Sequence, residues 1–151
     1  MRNFLKAAIL DDRDAAFVAL FPALKNAERF LRDPVGRSAA KLYPGGTMAL
    51  LDFLRQQKGN PPASLSKMSL RDMLQAGREI LRKVTPNDDW LAKWNDKDFE
   101  EIGEVRNTVM HDKPFTPRKE WKVFAERMLK LFEIRDGFQL RYEQLNTQVN
   151  E

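Results

Sequence analysis

The sequence predicts an all-α fold, a helical bundle of about five or six helices, and three observations carry that prediction. Apolar residues recur at three- and four-residue steps along most of the chain, the spacing that lines one face of an α-helix. No segment alternates apolar and polar residues as a half-buried strand does. Proline, glycine and capping residues interrupt the periodic stretches where helices of ordinary length would end. With 151 residues, 42% hydrophobic and 32% charged, the chain is long enough for one compact domain with a sizeable core.

The first helix covers Asp14 to Leu31, where Phe17, Leu20, Phe21, Leu24, Ala27, Phe30 and Leu31 share a face. Pro22 bends it or marks its start, and Asp33-Pro34-Val35-Gly36 ends it. Tyr43-Pro44-Gly45-Gly46 reads as a turn, and Thr47 caps a second helix through Met48, Leu50, Leu51, Phe53 and Leu54. Lys58-Gly59-Asn60-Pro61-Pro62 is a breaker and the one place for a linker. It separates an N-terminal helical region, residues 1–60, from a helical core, residues 61–151, on which that region packs to make one compact domain.

Ser69 opens the next helix, with Leu70, Met73, Leu74, Ile80, Leu81 and Val84 on one side and Gly77 as its one weak residue. Thr85-Pro86-Asn87-Asp88 stops it, and Asp88 or Asp89 caps a short helix holding Trp90, Leu91 and Trp94. Asn95 or Asp96 begins the helix that leads to His111, and Pro114 and Pro117 close that segment. Thr116 then caps a last helix with Pro117 at its first position. Trp121, Phe124, Met128, Leu131, Phe138, Tyr142 and Leu145 make its core-facing stripe. Arg135 falls on that stripe and opens its far half to a groove or partner, and the polar tail from Asn146 is expected to fray.

Composition excludes several function classes. There is no cysteine, hence no disulfide framework, thiolate metal site or cysteine nucleophile, and the single histidine is His111. No apolar run approaches the ~20 residues of a membrane span. Lys6 and Asp11-Asp12 interrupt the N-terminal apolar patch, so no leader peptide is predicted, and a cytoplasmic location is. Glycines are too sparse for a P-loop or dinucleotide fingerprint, and no Gly-x-Ser-x-Gly elbow exists. The acid pairs Asp11-Asp12, Asp88-Asp89 and Asp96-x-Asp98 read as helix caps or solvated faces, so no metal and no cofactor is expected. The net charge of +4 suits a nucleic-acid partner without demanding one. The whole excess sits in residues 1–60, with 10 Lys and Arg against 6 Asp and Glu, while Pro86 to Asp112 is the most acidic stretch.

His111 is the one side chain whose ordinary pKa lies near neutrality, so it is the first candidate for acid–base chemistry. On a helical wheel Phe99, Ile102, Val105, Val109 and Met110 share a face, and Arg106 projects from it. An arginine there calls for a partner for its planar fork: a carboxylate within the bundle, a phosphate or a second subunit. Glu100, Glu104, Asn107 and His111 lie on the opposite face, where Asn107 neighbours His111 and Glu104 supports it from two turns back. Arg106 and His111 are about 140° apart on an ideal helix and do not share a face.

The run Arg106-Asn107-Thr108-Val109-Met110-His111 resembles the R-x4-H signature of the HEPN superfamily of small helical domains. The preceding Glu-Ile-Gly-Glu-Val, Asn directly after Arg, and a proline shortly after His add to the likeness, which extends from about Ser69 to Tyr142. Lys113 stands where some toxins of the family carry a tyrosine. The resemblance implies a homodimer whose two motifs face one cleft, which lets Arg come from one protomer and His from the other. It further implies a metal-independent endoribonuclease of toxin–antitoxin or antiviral-defence type, with Arg106, Asn107 and His111 catalytic and an antitoxin or larger defence-system partner. Arg118, Lys119 and Lys122 are candidate RNA contacts. Two other readings stay open: a non-catalytic HEPN-like dimerisation or regulatory module binding RNA, nucleotide or a protein partner, and an unrelated helical adaptor with Arg106 internally paired.

Overall fold

The computed structural model describes residues 2–3, 13–58, 67–110 and 119–150. All regular structure among them is helical, in six helices: α1 (Arg13–Leu42), α2 (Gly46–Lys58), α3 (Leu70–Val84), α4 (Asp89–Ala92), α5 (Asp96–Met110) and α6 (Lys119–Asn150). The helices α1, α3, α5 and α6 each pack on the other three, α2 lies against α1 and α3, and the short α4 against α3. No helix of the described residues is long and apolar enough to cross a membrane.

The expected stop at Asp33-Pro34-Val35-Gly36 is overruled, for α1 runs on to Leu42. Proline lacks one backbone donor and disfavours a helix interior by about 3 kcal/mol. Here the apolar spacing continues past it: Leu31, Val35 and Ala39 follow one another at four-residue steps and all are buried, with Ser38 and Tyr43. Pro22 likewise lies inside α1. Phe21 and Phe30, assigned above to the core face, are instead exposed, at 47% and 52%.

The turn at Tyr43–Gly46 is present, closed by a hydrogen bond from Gly46 N to Tyr43 O at 2.8 Å. Gly45 and Gly46 take φ of 86° and 73°, which only glycine adopts without strain. The helix then starts at Gly46, so Thr47 lies inside the first turn rather than ahead of it. Ser69 caps α3 by accepting from Asp72 N, and Asp88 caps α4 by accepting from Trp90 N and Leu91 N. The breaker at Gly59–Pro62, the pair Asp11-Asp12, and Thr116 with Pro117 lie outside the described residues.

The central element is α3, buried on nearly every side from Leu70 to Leu81. Gly77 is its notch. A Cβ there would stand 2.7 Å from the Phe138 ring, and Tyr142 Oη donates to Gly77 O at 2.9 Å. The weakest helix former of α3 is thus what lets α6 approach. On α6, Ile134 takes the core position and Arg135 turns to Asp136 and the Phe132 ring instead of opening the stripe. The tail expected to fray stays helical through Asn150.

Candidate functional site

A reciprocal cap begins α5: Asp98 N donates to Asn95 Oδ1 at 3.0 Å, and Asn95 N donates to Asp98 Oδ2 at 3.1 Å. It satisfies amides that the first helical turn leaves without partners. Phe99, Ile102, Val105 and Val109 then bury the face that packs on α1, α3 and α6. Arg106 leaves the edge of this face with its side chain 31% exposed, and its Nε donates to Glu28 Oε1 of α1 at 2.8 Å. Of the three partners its sequence context allows, the bundle carboxylate is the one present.

Glu28 is the partner of Arg106 that the sequence around the arginine did not point to. Its side chain is 6% exposed, because it lies on the core stripe of α1, four residues after Leu24 and three before Leu31. Burying a carboxylate so deeply is costly unless a cation lies beside it. The signal was present in the sequence as two opposite charges, each intruding on an apolar stripe of a different helix. The bond uses Arg106 Nε, and the two terminal nitrogens of the guanidinium have no hydrogen bond to another described residue.

Arg106, Asn107 and Glu104 line one groove of about 340 Å³ together with Ser69, Arg71 and Glu100. Asn107 is exposed at its rim. Glu104 is held toward α6, accepting from Arg127 Nη1 at 3.2 Å. Lys122 is exposed on α6 and is not among the walls of this groove. Lys119 begins α6. His111 and Arg118 lie outside the described residues.

Five carboxylates of the acidic stretch before the motif are paired with cations. Asp88 pairs with Arg141, Asp96 with Arg78, Asp98 with Lys130, Glu100 with Arg71 and Glu104 with Arg127, the cations all coming from α3 or α6. Asp88, Asp96 and Asp98 are therefore occupied with cations, and Asp88 and Asp98 also cap helices. The arginine beside Asp88 holds its carboxyl below the usual carboxylate range, chiefly through their side-chain hydrogen bond. On α1 the balance is opposite: Lys25, Arg29 and Arg37 have no carboxylate partner among the described residues.

No protein-family model, curated protein or solved structure matches the chain.

Proposed function

We propose that this protein is a metal-independent endoribonuclease that acts as a homodimer, with Arg106, Asn107 and His111 as its catalytic residues. The observation that carries the reading is the state of Arg106. Glu28 fixes the guanidinium through Nε, and the two terminal nitrogens have no hydrogen-bond partner among the described residues, beside the exposed Asn107 in the wall of a groove. A tethered planar fork is suited to gripping a phosphate through two parallel hydrogen bonds.

In this mechanism the ribose 2′-oxygen attacks the adjacent phosphorus as His111 takes its proton. A 2′-O–P bond forms and the bond to the 5′-oxygen breaks. The leaving 5′-oxygen receives a proton from the second copy of His111, and the products end in a cyclic phosphate and a 5′-hydroxyl. Arg106 stabilises the charge that develops on the phosphate oxygens, and Asn107 orients the imidazole. DNA is rejected because it lacks the nucleophile.

The Glu28 pair also favours the other readings. Arg106 is paired within the bundle, which is the outcome expected of a helical adaptor unrelated to the family and equally of a structural pin in a non-catalytic module. RNA incubated in EDTA with wild type and with His111→Ala separates these from the nuclease. Cyclic-phosphate ends from wild type alone support the nuclease, whereas equal activity in both proteins, or none in either, leaves the non-catalytic readings.

A further inference from the structure

We propose that single-stranded RNA enters along α1, bound by Arg29, Arg37 and Phe30 in the groove between α1 and α6, and crosses α1 at Arg29 to reach Arg106. The proposal rests on the ribonuclease reading of Arg106 and names the surface that presents its substrate.

A groove between α1 and α6 holds about 620 Å³, enough for a nucleotide unit. Its walls include Arg29, Arg37, Phe30 and the amides Asn26, Gln139 and Asn146. The one carboxylate in the wall, Glu143, accepts from Gln139 at 3.3 Å and forms no ion pair with either arginine. Phe30 is 52% exposed, an aromatic surface left in water although the helix had core positions for it on either side. Guanidinium forks that have no carboxylate partner among the described residues, an exposed ring for a base to stack on and amides for base edges are the parts of a single-strand platform.

The groove does not end at α1. Asn26 and Arg29 are also walls of a second hollow of about 450 Å³, which contains Lys25, Glu28 and Arg32. Glu28 is the residue that holds Arg106. Arg32 Nη2 reaches Met68 O, next to Ser69 on the wall of the Arg106 groove, and Arg32 Nε is buried with no hydrogen-bond partner. From Lys25 to Arg37 the helix rises about 18 Å. The positive excess of residues 1–60 thereby gains a use that the acidic stretch near Arg106 cannot serve.

The test uses a labelled single-stranded RNA with 2′-O-methyl groups at every position, which cannot be cut, and reads its binding by fluorescence anisotropy. Arg29→Gln with Arg37→Gln is expected to weaken binding at least tenfold and to flatten the slope of log affinity against log salt by about 1.4. Phe30→Ala, at an exposed position, is expected to weaken it about tenfold with unchanged thermal stability. Unaltered binding in these variants overturns the proposal, as does displacement of the RNA by polyglutamate of equal charge or by uridine monophosphate at equal phosphate concentration. The two readings fail separately. If His111→Ala still cleaves natural RNA while the Arg29 and Arg37 effects hold, the nuclease site is wrong and the track stands. If cleavage requires His111 but the α1 variants bind and cut as wild type does, the track is wrong and the nuclease stands.

Discussion

Two arginine–carboxylate pairs close opposite parts of the bundle, and they are built to different ends. Arg141 of α6 grips both oxygens of Asp88, with Nε on Oδ2 and Nη2 on Oδ1 at 3.1 Å. Its Nη1 donates to Gly137 O, its plane lies 4.0 Å from the centroid of the Trp90 ring, and Asp88 at the same time caps α4. All three nitrogens of that guanidinium donate a hydrogen bond. Among the described residues Arg106 makes one side-chain bond, through Nε to Glu28, and it lines a groove. The comparison teaches how to tell a structural arginine from an available one: donors left over after folding, rather than the presence of a salt bridge.

The packing around the two pairs differs in the same sense. Trp90 sits over Gly137 and makes edge contacts with Trp94 and Phe138, while Phe138 and Tyr142 fill the notch at Gly77. Tyr142 is sealed there with its hydroxyl on a main-chain carbonyl, and burial pushes its pKa far up. The Arg106 region offers an open groove in place of interlocked rings.

The largest effect is expected at the sealed end. A Cβ on Gly137 would stand 2.1 Å from Trp90 Cζ2, so Gly137→Ala should lower stability by about 3 kcal/mol despite the gain in helix propensity. A urea denaturation curve reads this, and an unchanged midpoint would show that the aromatic seam is loose and the contrast with the Arg106 region mistaken.

Arg106→Ala comes next. It strands the Glu28 charge in the core, and because Arg106 is itself about a third exposed the expected loss is about 2 kcal/mol. In a Glu28→Gln background the same substitution should cost well under half as much, since no buried charge remains to be stranded. Equal costs in both backgrounds would mean that the pair carries no coupling and that the tether is not what orients the fork.

The smallest effect is the acid limb of the Asp88 pair. Its folded pKa is lowered, so its contribution is complete above the ordinary carboxylate pKa and disappears as pH falls through the lowered one. Asp88→Asn, which retains the capping oxygen, should cost about 1 kcal/mol at neutral pH and progressively less below about pH 4. A constant difference between the two proteins down to pH 2 would remove the charge from the account and leave only the hydrogen bonds.

The sequence alone determined the helices and most of their starts. Hydrophobic spacing is a local property, and caps act within three residues of themselves, so Ser69 could be read in place and the other two starts to within one residue, as Asp88 or Asp89 and as Asn95 or Asp96. The passage of α1 through Pro34, the notches at Gly77 and Gly137 and the partner of Arg106 were decided by tertiary structure. A local breaker yields when the residues beyond it bury against other helices, and a glycine reads as weakness until a ring from another helix fills its space. Glu28 and Arg106 are 78 residues apart, and either charge alone on an apolar stripe admits several partners. Only the packing of α1 on α5 brings the two together, because a buried charge accepts a partner where the fold leaves one within reach.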